Sequence, residues 1–119
     1  MSPAQIPAGA IADAATLALE HEAVAADQVV TGAPSTGYAA LFDEDSPGEI
    51  GVWEMTPGAM RDSEVDEVFV VLAGDATVEF TSPALPSIEL RPGVVVRLDA
   101  GMQTVWTVRE TLRKVFIAR

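Results

Sequence analysis

From Gly51 onward the chain runs in short, mostly apolar stretches, each closed by a turn signal. Gly51-Val-Trp-Glu-Met55 stops at Thr56-Pro57-Gly58, and Val68-Phe-Val-Val-Leu72 stops at Ala73-Gly74-Asp75, a hairpin signal. Thr77-Val-Glu-Phe80 follows, then a loop from Ser82 to Ser87 holding two prolines. Ile88-Glu-Leu90 turns at Arg91-Pro92-Gly93, and Val94-Val-Val-Arg-Leu98 turns at Asp99-Ala-Gly101. Val105-Trp-Thr-Val108 and Leu112-Arg-Lys-Val-Phe-Ile117 complete the series. About seven short strands at such close spacing predict an all-β sandwich or barrel. Helical stretches between the strands, which parallel βαβ units require, are missing.

The preceding segment follows other rules. Gly32, Pro34, Ser35, Gly37, Pro47 and Gly48 predict loops around one short apolar stretch, Tyr38 to Phe42. Residues 9–26 are rich in alanine, with Ile11, Leu17, Leu19 and Val24 set among acids. Alanine favours a helix, but the apolar spacing has no clear helical period. A short amphipathic helix and an extended arm both fit. The chain divides into an N-terminal arm, residues 1–30, and a barrel, residues 31–119.

Composition narrows the function classes. The length suits one domain with its own core. Without cysteine there is no disulfide, thiolate metal site or cysteine nucleophile. Eighteen acidic residues against seven Lys and Arg give a net charge of −11. Such a chain is repelled by phosphate backbones and anionic lipid, so neither nucleic acid nor membrane is an expected partner. Asp13, Glu20 and Glu22 stand where a signal peptide would carry positive charge, and a cytoplasmic location is the expectation.

The strand series resembles the cupin superfamily, a double-sheet jelly-roll barrel. Glu67 and Gly74 have the spacing that ends the first cupin motif. Gly93 followed by Asp99-Ala-Gly101 has the spacing of the second. Within the superfamily, Gly51-Val-Trp-Glu-Met-Thr-Pro-Gly58, Trp106, Arg113-Lys114-Val-Phe116 and the lead-in Gly32-Ala-Pro34 look like the ureidoglycine aminohydrolase-like cupins. The resemblance covers roughly residues 30–118 and implies a cupin barrel, a pocket for a small molecule and a homodimer.

The resemblance also implies a metal, held by a His-x-His pair, a Glu and a third His. By spacing these positions fall on Arg61, Ser63, Glu67 and Thr104. Only Glu67 is a strong ligand, whereas a transition metal wants several convergent donors. The expectation is no metal and no cofactor. Strand alternation puts Glu67 and Phe69 on one face, Arg61 and Ser63 with them if no turn intervenes, and Thr104 beside Trp106. With Trp53 these residues form the expected pocket. Glu67 is the candidate acid or base, because burial raises a carboxyl pKa; pairing with Arg61 or another donor would make it structural. Asp62, Glu64, Asp66 and Glu67 read as a solvated acidic turn, and the lone His21 as a surface residue. Two functions stand: a metal-free small-molecule-binding protein, and an enzyme acting on a small nitrogenous compound.

Overall fold

The computed structural model describes residues 6–41 and 48–119. Nine strands follow in order: β1 His21–Ala23, β2 Val29–Thr31, β3 Ser35–Ala40, β4 Glu49–Met55, β5 Gly58–Ser63, β6 Glu67–Ser82, β7 Ala84–Leu90, β8 Val95–Leu98 and β9 Gln103–Ala118. All their pairings are antiparallel. The chain is all-β, a curled antiparallel sheet.

Two long strands organise the sheet. The first half of β9 lies between β5 and β6, and its second half between β4 and β6. The first half of β6 also pairs β8, and its second half pairs β7. The sheet therefore turns a corner where β6 and β9 bend together. The hairpin expected at Ala73-Gly74-Asp75 is this bend. Gly74 has φ +103°, and a Cβ there would sit 2.3 Å from the Thr111 carbonyl oxygen. Only glycine lets the two backbones pass so closely at that dihedral.

Alternation along β9 sets the core. Trp106, Val108, Leu112 and Phe116 point inward and pack with Met55, Phe69, Val71, Val78, Leu90 and Leu98. Full burial of such side chains is worth about 1.5–3 kcal/mol each. A second, smaller cluster lies outside the sheet, where Ala12, Ala14, Leu17 and Leu19 cover Leu41 and Val52.

That outer cluster explains the N-terminal segment. No helix forms among the described residues; the alanine-rich stretch is a strap of turns and short strands. The Arg113 guanidinium donates to the carbonyls of Ala14 (2.9 Å) and Leu17 (2.8 Å). Tertiary partners thus claim carbonyls that a helix would have used, overriding propensity. β1 pairs β3 and β2 pairs β5, so strands before residue 31 are joined to the sheet. β3 occupies part of the expected loop region, because its edges are filled by β1 and β4. The expectations at Phe42 and Pro47 lie outside the described residues.

Candidate functional site

β4, β5, β6 and β9 enclose a pocket of about 220 Å³. Cross-strand register brings its residues together. Trp53 on β4 pairs with Lys114 on β9, Val71 on β6 pairs with Lys114 from the other side, and Met60 and Asp62 on β5 face Trp106 and Thr104. Asp62, Glu64, Glu67, Trp53, Trp106 and Lys114 all line it, with Tyr38 and Phe116 also in the wall.

Lys114 is the centre of this group. Its Nζ donates to Glu67 Oε2 at 2.6 Å, with the two side chains only 6% and 10% exposed. The same ammonium lies over three rings, 4.3 Å from the Phe69 centroid and 4.8 Å from those of Trp53 and Trp106. Trp53 and Trp106 meet at 5.5 Å in a tilted pair, and Phe69 and Trp106 at 5.7 Å. Ring faces carry negative potential, so the cage holds the cation as the carboxylate does. The partner of Glu67 is therefore Lys114, and not Arg61.

A second carboxylate is buried beside this pair. Glu64 Oε2 accepts from Thr104 Oγ1 (2.7 Å) and from Trp106 Nε1 (3.0 Å). Its backbone is fixed too, since the Glu64 N–H donates to Met102 O and its carbonyl accepts from Gly101 N–H. This places the Asp99-Ala-Gly101 turn directly behind Glu64. Asp62 is the third acid. Burial and then the neighbouring Glu64 charge push its pKa from 3.8 to about 6.

Six of the expected site residues thus lie at or in the pocket. Trp53, Ser63, Glu67 and Trp106 line it, Phe69 forms its floor under Lys114, and Thr104 binds Glu64. Ser63 is exposed at the rim, its hydroxyl donating to Gln103 Oε1 at 2.9 Å. Arg61 is the exception. It is exposed on the other face of β5 and donates to the Asp27 carbonyl at 3.2 Å. The inward positions of β5 are Met60 and Asp62, one residue out of step with the expected pair. The acidic stretch is accordingly not all solvated turn, because Glu64 is 8% exposed. His21 is tied down on the outer side, with Nε2 2.6 Å from Glu54 Oε2 and Nδ1 2.8 Å from Ser35 Oγ.

The residues present do not fit the metal that the cupin resemblance implies. The carboxylate at the ligand position is paired with an internal ammonium, and Thr104 is committed to Glu64. Among the described residues, no three His, Cys, Asp or Glu side chains converge as a metal site would require.

The bent two-layer sheet, the glycine at its corner and the pocket at the β4–β9 end define a cupin. The chain belongs to the EutQ-like cupin domain family, whose model matches residues 42–116. No curated protein matches its sequence. Among solved structures it is similar to a protein of unknown function from Pseudomonas syringae pv. tomato, with TM-score 0.73, 20% identity, 88% of this chain and 46% of that one covered. The EutQ protein of Clostridium difficile follows at TM-score 0.61 and 18% identity, covering 71% and 61%. The ectoine synthase of P. lautus is similar at TM-score 0.61 and 14% identity, covering 69% and 62%. The chain thus spans less than two thirds of the length of each of these proteins, and the likeness at such identity is one of fold. No described helix is long and apolar enough to cross a membrane.

Proposed function

We propose that this protein binds a small molecule in the pocket between β4, β5, β6 and β9 without help from a metal ion. The observation behind this reading is the Lys114–Glu67 pair inside an aromatic cage. An apolar cup with a few fixed polar groups is the general form of a small-molecule site. Its volume of about 220 Å³ lies below the roughly 300–1,000 Å³ of drug-sized sites and suits a compact ligand. The test is a thermal-shift screen of small amines, amides, acids and sugars, with elemental analysis of the purified protein. A ligand class that raises the melting temperature in metal-free protein supports the proposal, since a native-state ligand must stabilise. A stoichiometric transition metal, or no stabilising class, contradicts it.

One observation favours a second reading, an enzyme that acts on a small nitrogenous compound as ureidoglycine aminohydrolase does. Asp62, in the pocket wall, has its pKa raised to about 6, which suits proton transfer near neutrality. Glu67 is the weaker candidate for that role, because Lys114 already holds its charge. Turnover of ureidoglycine-type substrates that is lost in Asp62→Asn would favour this reading.

Cytoplasmic residence and a homodimer belong to the same proposal. Val68, Val70, Val95 and Ile117 leave an exposed apolar face on β6, β8 and β9. Arg97, Arg119 and Asp66 lie at its margin, so two copies related by a two-fold can bring opposite charges together. Light scattering of Val70→Glu against the parent chain tests this; a parent already monomeric refutes it.

A further inference from the structure

We infer that the pocket takes a small organic cation, a primary ammonium on a compact skeleton, bound by Asp62 and Glu64 against the rings of Trp53 and Tyr38. The inference rests on the binding reading above and adds the chemical class of the ligand.

Lys114 and Glu67 cancel one another at 2.6 Å. Asp62 and Glu64 are then left, and Lys114 is the only cation among the described residues of the lining. Arg61 faces away, and Arg113, on the opposite face of β9, is spent on Glu54 and the arm carbonyls. Glu64 is more than nine-tenths buried, yet its donors are a hydroxyl and an indole N–H, both neutral. A buried carboxylate without a counter-charge is costly, and a bound cation supplies what is missing. The raised pKa of Asp62 agrees, since burial and the Glu64 charge both resist its ionisation.

The aromatic wall is an independent observation. Carboxylates alone describe only an acidic patch. Here Trp53, with Phe69 and Trp106, already holds one ammonium, that of Lys114, at cation–π distance. Tyr38 stacks on Phe116 at 5.8 Å and donates its hydroxyl to Glu49. This fixes a further ring in the pocket wall. Ring faces joined to carboxylates favour an ammonium over an uncharged or anionic group of equal size. An anion meets the reverse: two carboxylates, and an ammonium already paired and covered by rings.

The test uses three probes of equal carbon count: n-butylammonium, butyramide and butyrate. Each is titrated into the full chain at pH 7.5 while the indole N–H signals of Trp53 and Trp106 are followed by NMR. We expect saturable shifts with butylammonium, affinity at least tenfold weaker for butyramide, and none for butyrate. Asp62→Asn should weaken butylammonium about tenfold and leave butyramide unchanged, a difference that misfolding would not produce. Butyramide or butyrate binding as tightly as butylammonium overturns the cation class while the pocket reading survives. Butylammonium leaving both indoles unmoved overturns the cation class too, and the broad thermal-shift screen then decides the pocket reading separately.

Discussion

Removing the Lys114 charge should leave the buried Glu67 carboxylate without its partner. In Lys114→Met the stem volume is largely kept, so the loss is mainly electrostatic. The two side chains are 6% and 10% exposed, so solvent screens them poorly. Breaking a buried pair from one side costs about 3–5 kcal/mol, because the other charge stays behind. The lost contacts to three rings add about 1 kcal/mol or more, partly offset by methionine packing on the same rings. Against a domain stability of about 5–15 kcal/mol this is a large fraction. Glu67→Gln should cost less, about 2 kcal/mol, because its amide oxygen still accepts from Nζ. The double variant should recover at least about 2 kcal/mol relative to the sum of the singles. Urea unfolding followed by tryptophan fluorescence is the assay, since Trp53 and Trp106 both sit at the pair. Single variants each within about 1 kcal/mol of the parent, with an additive double, would refute the buried-pair argument.

Three further outcomes follow from other parts of the molecule. Asp62 has a folded pKa of about 6 against an ordinary 3.8, so the folded state binds the extra proton between these values. Its ionisation therefore opposes folding fully above about pH 6, and the penalty fades as pH falls toward 3.8. After discounting for partial exposure, Asp62→Asn should stabilise by about 1–2 kcal/mol at pH 7.5 and by almost nothing near pH 4, checked by melting curves at both. Gly74→Ala places a methyl 2.3 Å from the Thr111 carbonyl at a φ of +103° and should cost about 3 kcal/mol or more of unfolding free energy, measured in urea; a neutral result would mean that the corner backbone yields. Arg113→Ala removes the side chain joining Glu54 to the Ala14 and Leu17 carbonyls. Amide exchange at Thr16 and Leu17 should speed up while the pocket indoles hardly move, and unchanged exchange would show that apolar packing alone seats the strap.

The barrel was legible because its signals are local. Alternation and turn residues marked the strands from Gly51 on, and the spacing of Glu67 and Gly74 matched the first cupin motif. What local reading missed is continuity. Ala73-Gly74-Asp75 carries hairpin residues, but the same glycine serves where β6 bends past Thr111, a contact distant in sequence. The arm was ambiguous for a related reason, since its carbonyls are claimed by Arg113 nearly a hundred residues away. In the pocket, Glu67, Phe69, Thr104 and Trp106 followed from parity. Arg61 did not, because the β5 frame differs by one residue from the expected spacing, and one step sends a side chain to the opposite face. The frame that puts Met60 inward carries Asp62 and Glu64 with it, and an acidic run gives no sign of that by itself. Lys114 did leave a signal. It stands between Leu112 and Phe116 at period two, a polar residue in an inward frame.

Lys114 is the only lysine in the chain, which gives the account its most direct measurement. Protein labelled with ¹⁵N-lysine should show one Nζ signal that persists at neutral pH through slow exchange with water. Its neighbouring methylene protons should be displaced upfield by the rings of Trp53, Phe69 and Trp106. Glu67→Gln should move that signal. A methylene at its unfolded-peptide position, with Nζ protons lost to exchange and no response to Glu67→Gln, would contradict an ammonium held in the cage.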